Sequence, residues 1–239
     1  MKCNVQEGRT QEGEIAFGDN RPGGFRKTYG ALLIAQGLGG KIAMIDTENG
    51  SGDIYAGMCD YDIETLNAPY DPRRYIDAIH EAEKAGYSVV IIDSLSHAWN
   101  GAGGVLDLQS RVAETMKTSN GYVAWGKVTP LQNALVEAMI VSPCHIIATM
   151  RSKTDYVQSR NDSGRTEIRK VGLAPVQRDG MEYEFGTVFD LAPEHTASVS
   201  KDRTGLFDGQ YFTISAETGR ILRKWLDVAP SEMKGANKQ

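Results

Sequence analysis

The chain has 239 residues, 41% of them hydrophobic and 24% charged, which is the make-up of a globular α/β domain with a full core and excludes a disordered or fibrous chain. A net charge of -5 excludes a surface that coats nucleic acid as a whole, since phosphate affinity needs clustered Lys and Arg, but leaves room for a local basic patch. Cys3, Cys59 and Cys144 lack metal-ligand spacing, no apolar run reaches the roughly 18 to 20 residues of a membrane helix, and no signal-peptide pattern opens the chain, so a soluble cytoplasmic protein without disulfides, zinc or membrane contact is expected.

Residues 28–37, TYGALLIAQG, have helical apolar spacing and end in glycine, which predicts a helix with a C-terminal stop. A short buried strand follows at 41–45, KIAMI. Residues 71–85 carry Tyr75, Ile76, Ala78, Ile79 and Ala82 on one helical face, and Gly86 ends them. The strand at 88–93, SVVIID, is next. Helices alternating with short, continuously apolar strands predict βαβ units and a largely parallel sheet covered on both faces. Residues 100–121 hold two glycine clusters around a moderately helical stretch, 129–141 read as an amphipathic helix, and 144–149, CHIIAT, as a third core strand. Residues 151–182 are polar and are expected to form a long loop, which inside a compact domain is functional or disordered. Residues 187–192, 196–200 and 210–214 alternate like antiparallel strands, and the tail 230–239 is expected to be unstructured.

Asp93 ends an uninterrupted apolar strand. The carboxyl ends of parallel strands open onto the ligand crevice, so an acid there either holds a hydrated Mg²⁺ or caps the next helix. Asp46-Thr47-Glu48 stands at the end of the preceding strand, where Glu48 either orients and deprotonates an attacking water or is a solvated loop acid. The strand CHIIAT delivers Thr149 and Arg151, either to a γ-phosphate or to the start of a surface loop. Lys201 and Arg203, on the turn KDRTG, either reach a phosphate in an adjacent subunit, as an arginine finger does, or decorate a solvated hairpin.

The blocks IDTENGS, VVIIDSLSHAW, CHIIATMRSKTDY, KVGLAPVQRDGMEYEF and VSKDRTG, in this order, resemble those of RecA-like P-loop ATPases, in particular phage-encoded ATP-binding proteins of the RecA-core single-strand annealing class. The resemblance runs from about Lys27 to Gly209. It implies a RecA-like core, with a mostly parallel sheet flanked by helices and antiparallel strands near the C-terminus, as one domain over residues 1–229. It further implies that Lys27 and Thr28 end the phosphate loop, Asp93 is the Walker B acid and joins Thr28 at the metal, Glu48 is the catalytic acid, and Lys201 with Arg203 form the intersubunit finger. ATP and Mg²⁺ are the implied cofactors, a homo-oligomeric ring or filament the implied assembly, and the host cytoplasm the implied location.

The phosphate loop departs from this pattern. G-x-x-x-x-G-K-[ST] uses glycines so that consecutive backbone N–H groups curl around a phosphate ahead of a helix N-terminus. Here Arg21 stands at the first glycine and Arg26 at the second, with Phe25 beside it. Two or three lost charge-assisted hydrogen bonds at about 1.5 to 3 kcal/mol each weaken a micromolar site to a millimolar one or worse. One set of codons for residues 18–27, GGC GAT AAC CGG CCC GGC GGG TTC CGG AAA, reads one base later as Ala-Ile-Thr-Gly-Pro-Ala-Gly-Ser-Gly-Lys, an intact loop. Residues 13–17 read in that frame as an apolar strand, supplying the first core strand that the written sequence is expected to lack. Residues 1 to about 26 are therefore read either as a frame-shifted translation or as part of a chain that has lost hydrolysis; the gene sequence decides.

Between 151 and 182 the chain has seven basic residues against five acids. Arg151, Lys153, Arg165, Arg169 and Lys170, with Tyr156 among them, suit single-stranded DNA, whose backbone needs cations and whose bases stack on rings; an ordinary solvated loop is the other reading. Trp99 and Trp125 read as packing residues. A DNA-dependent recombination ATPase, a non-hydrolysing nucleic-acid-annealing scaffold and a small-molecule kinase are the functions weighed, and the kinase lacks a visible acceptor site.

Overall fold

Val89, Val90, Ile91 and Ile92 are each 0% exposed in the computed structural model. A strand with no polar residue before its last must lie inside a sheet covered on both faces. The structure describes residues 15–19, 25–116, 121–160, 166–192 and 194–228. The predictions for the loop around Arg21, for Arg165 and for the tail 230–239 lie outside them.

The strands are β1 (Ile15–Asp19), β2 (Ile42–Asp46), β3 (Asp62–Thr65), β4 (Val89–Asp93), β5 (His145–Arg160), β6 (Thr166–Pro175), β7 (Thr187–Leu191), β8 (Ala197–Asp202) and β9 (Tyr211–Phe212). Their order in the sheet is β3-β2-β4-β5-β1-β7-β8-β9, with β6 paired to β5. Neighbours from β3 through β7 run parallel; β7-β8-β9 and β5-β6 are antiparallel. The expected α/β class, mostly parallel with antiparallel strands toward the C-terminus, is what the chain forms.

The helices are α1 (Phe25–Leu38), α2 (Pro72–Lys84), α3 (Ser96–Asn100), α4 (Val105–Thr115), α5 (Gly121–Ile140) and α6 (Ala216–Leu226). Because side chains alternate along a strand, β4 divides its burial between two cores. Val90 and Ile92 pack with Tyr75 and Ile79 of α2 and Leu135 and Met139 of α5. Val89 and Ile91 pack with Leu32 and Ile34 of α1 and Leu222 of α6. Each such side chain contributes about 1.5 to 3 kcal/mol of burial.

Local chemistry sets the helix ends. Asp71 accepts from Arg73 N at 2.9 Å as N-cap of α2, and Pro72 stands at the first helical position, where its missing N–H costs nothing. Ser215 opens α6 with a capping box closed by Thr218.

Several expectations are corrected. The written sequence does supply a first strand: residues 15–19 pair with both β5 and β7, whose free main-chain groups recruit this short segment as the strand between them. The loop expected over residues 151–182 is largely a hairpin, β5 continuing past the sheet to Arg160 and returning as β6. Its polarity suits a two-stranded ribbon leaving the core, whose side chains need no apolar cover. Helix α5 begins at Gly121, not 129, and passes through Pro130.

Helices α1 and α6 touch backbone to backbone. A Cβ on Gly219 would lie 2.1 Å from Ile34 O and 2.8 Å from Gly37 Cα. Gly219→Ala is expected to cost about 1 to 3 kcal/mol by overpacking, measured by urea denaturation. Gly126→Ala in α5, where an added Cβ meets nothing within 4 Å, is expected to stabilise by about 0.5 to 1 kcal/mol through helix propensity.

Candidate functional site

β4 and β2 end in register at Asp93 and Asp46. Asp93 is 2% exposed, and the first turn of α1 reaches it: Thr28 Oγ1 donates to Asp93 Oδ2 at 2.5 Å. From the neighbouring strand β5, Thr149 Oγ1 donates to Asp93 Oδ1, and Ser51 Oγ lies 3.4 Å from Oδ2. The Asp93–Ser94 peptide is cis. Lys27, 8% exposed, donates from Nζ to Met150 O at 3.3 Å.

Burial pushes the Asp93 carboxyl above the usual carboxylate range, and the hydrogen bonds from Thr149 and Thr28 and the charge of Lys27 only partly offset it. Its ionised form lacks a full counter-charge. The donor set of a carboxylate and a neighbouring hydroxyl fits a hard cation such as Mg²⁺, while the dipole-positive start of the 14-residue α1 suits an anion.

Beyond β2 the chain folds tightly around Asp46, whose carboxylate accepts from Glu48 N and Gly50 N, each at 2.7 Å. Asn49 and Gly50 take left-handed conformations, φ 55° and 86°, which these residue types tolerate. Thr47 N donates to Asp93 O at 2.7 Å, tying the turn to β4. Thr47 Oγ1 accepts from Ser94 N at 2.8 Å, donates to Ser94 O at 3.1 Å and lies 2.8 Å from His97 Nδ1. In the Thr47–His97 contact the donor follows from the His97 tautomer. Tyr70 stacks on the imidazole, centroids 4.8 Å apart, and burial lowers the pKa of His97 although Glu48 opposes that shift.

The Glu48 carboxylate meets Arg151 in a bidentate pair, Oε1 to Nε at 2.9 Å and Oε2 to Nη2 at 2.5 Å. Burial works against the Glu48 charge, but the hydrogen bond and charge of Arg151, with His97 and Lys27, outweigh it and hold the carboxyl below the usual range. The side chains keep 48% and 24% exposure, so the pair contributes only about 0.2 to 1 kcal/mol.

The structure thus gathers Lys27, Thr28, Glu48, Asp93, Thr149 and Arg151 at the carboxyl ends of the central strands. It does not bring Lys201 and Arg203 there. They flank Asp202, which is paired with Thr187 at the amino end of β7. Lys201 Nζ donates to Glu182 O at 3.2 Å and to Tyr183 O, and Arg203 Nη2 donates to Tyr183 O at 2.9 Å. Lys153 is exposed. On the hairpin, Lys170 pairs Tyr156 and Arg169 pairs Val157 in register. Sequence reasoning missed the bracing residues Asp46, Thr47, Ser51 and His97; Asp46 and Thr47 sit in the DTE block, whose position at a strand end was the available signal. Tyr29, next to Thr28, packs edge-on against Tyr55 at 5.8 Å and was also missed.

A family described as an AAA domain matches residues 22–227. No curated protein sequence matches the chain. Among solved structures, the RadB recombinase is similar at 16% identity, over 87% of this chain and 90% of that one, with a TM-score of 0.45.

Asp93→Asn keeps the shape of the site and removes its buried charge. Because the folded pKa of Asp93 is raised, ionisation costs stability once the pH exceeds the ordinary carboxylate range, and costs nothing well below it. The variant is expected to be more stable than the parent at neutral pH by about 1 kcal/mol, with the advantage shrinking as the pH falls, measured by urea denaturation in metal-free buffer.

Proposed function

The chain belongs to the AAA domain family, and from that premise we propose that it binds ATP with Mg²⁺ and hydrolyses it as a RecA-like ATPase acting on single-stranded DNA in recombination or strand annealing. The observation that carries this reading is the convergence of Thr28 and Thr149 on the buried carboxylate of Asp93, with Glu48 one strand away.

In this reading Lys27 and the N–H groups opening α1 face the phosphates, Thr28 and Asp93 hold the metal, and Thr149 fixes the orientation of Asp93. Bound Mg²⁺ supplies the charge that neutralises the phosphate oxygens. Glu48 aligns a water, which attacks the γ-phosphorus as the bond to the bridging oxygen breaks; the water's proton passes to Glu48 and ADP leaves. Lys201 and Arg203 act on the site of a neighbouring copy in a ring or filament, since within one chain they lie toward the other end of the sheet. Arg151, Lys153, Arg165, Arg169 and Lys170 are the cations this reading assigns to the DNA backbone, on the strength of their residue types in the sequence. A phage-encoded protein working in the host cytoplasm fits the sequence blocks.

A second reading, a nucleic-acid-annealing scaffold without turnover, is favoured by Arg21 and Arg26 at positions that phosphate binding gives to glycine.

Hydrolysis measured with and without single-stranded DNA separates the two. DNA-stimulated turnover, abolished by Asp93→Ala, is the result expected of the first reading; DNA binding with no turnover supports the second. The combined variant Arg21→Gly, Gly23→Ala, Phe25→Ser, Arg26→Gly restores the glycine loop and is expected to tighten ATP binding by about a thousandfold. Equal affinity in the two proteins would refute the account of the loop.

A further inference from the structure

Leu135 and Met139 of α5 pack into the core, but a neighbouring side of the same helix does not. Gln132, Val136 and Ile140, with Asn133 and Glu137 beside them, recur every four residues and so stack along one side of the helix. Across from that side the chain turns at Gly180, φ 87°, into a single 3₁₀ turn at Met181–Tyr183. Between helix and turn lies a cleft of about 560 Å³, the size of a small-molecule site.

The most buried residue lining this cleft carries an unmet acceptor. Gln132 is 1% exposed. A backbone N–H can only donate, so the Gln177 atom 2.9 Å from Arg178 N is Oε1. The Gln132 atom 3.2 Å from that oxygen must then be Nε2. Gln177 Nε2 is spent on Leu95 O at 3.0 Å. Both amides are thereby fixed in orientation, and the buried Gln132 Oε1 is left with no hydrogen-bond partner among the described residues. Buried acceptors are paired as a rule, so this oxygen requires an N–H or O–H donor.

The rest of the cleft restricts what can carry that donor. Val136, Met181 and Tyr183 supply apolar walls, which suit methylene groups. Lys201 Nζ stands 5.7 Å from the centroid of the Tyr183 ring and steadies it. Glu137, Asp179 and Glu184 are exposed along the cleft, and none of them joins an ion pair among the described residues. Among the described lining residues Arg178 is the one cation, and its Nη1 donates to Asn133 Oδ1 at 2.9 Å. Three carboxylates against one guanidinium attract a cation and repel a phosphate.

We propose that this cleft binds a linear aliphatic diamine or polyamine. One protonated nitrogen donates to Gln132 Oε1, the methylene chain lies along Val136 and Tyr183, and the other nitrogen meets the carboxylates. The cleft shares no residue with the cluster around Asp93, and the inference is independent of whether the protein hydrolyses ATP.

Isothermal titration calorimetry of the full chain with 1,5-diaminopentane at physiological ionic strength tests this. One saturable equivalent is expected. Gln132→Met keeps the side-chain length and removes the acceptor; it is expected to weaken binding by about ten- to a hundredfold, the range of a hydrogen bond to a charged group. Glu137→Gln combined with Glu184→Gln, both at exposed positions, is expected to weaken it by about two- to twentyfold. If Gln132→Met fails to fold by circular dichroism, the double glutamine variant decides, and undiminished affinity there overturns the proposal. 1,5-Pentanediol, of equal length and uncharged, is expected to bind at least about tenfold more weakly; equal affinity overturns the proposal. Pentylamine, with one nitrogen, is also expected to bind more weakly, and equal affinity would overturn the diamine in favour of a lysine side chain from a partner. Several equivalents bound alike by the parent and Gln132→Met would mean that exposed acids merely gather cations. No binding would mean that water alone meets the acceptor. Either result overturns the proposal.

Discussion

A carboxylate almost sealed from water at the end of a central strand has to be compensated, and the architecture around Asp93 follows from that requirement. Two hydroxyls from different elements, Thr28 on α1 and Thr149 on β5, spend their protons on its two oxygens. For this to happen α1 must start above the end of β4, and β5 must lie beside β4 in parallel register. The compensation is incomplete, because hydroxyls donate hydrogen bonds but bring no charge.

Around this centre, backbone constraints do more than ion pairs. Asp46 folds its own loop by accepting two N–H groups, and Thr47 staples that loop to Ser94. The Thr47–Ser94 bond is buried and the two to Asp46 are partly so, and losing a buried one leaves an unpaired group at a cost of about 1 to 3 kcal/mol. The Glu48–Arg151 pair, open to solvent, is the soft member of the set. Buried around Asp93 and open to solvent at Glu48, the site divides its stiffness by burial.

Much of this was legible in the sequence. SVVIID could be only a buried strand, and its terminal acid had to face a crevice; Glu48 and Thr149 followed from the same rule applied to the adjacent strands. The hairpin was not legible, because the stretch after Arg151 is polar on both faces and lacks the apolar alternation that marks a strand packed on a core. Its ladder is a tertiary event, seeded by β5 overrunning the sheet. The first strand was missed for a related reason. IAFGD is short and ends in polar and flexible residues, yet it lies between β5 and β7, where partners on both sides satisfy its main chain. The role of Arg151 was visible only in part: its place at a strand end pointed to the site, but nothing in its neighbours in sequence names a glutamate 103 positions away.

The glycine contact between α1 and α6 carries its own implication for how the molecule is made. The helix that presents Thr28 is seated by Gly219, near the end of the chain, and β1 before it lies between strands contributed by the second half. During synthesis β1 and α1 therefore emerge before the elements that seat them. A nascent chain on the ribosome holds Thr28 long before it holds Gly219, so α1 waits unseated until α6 docks against it.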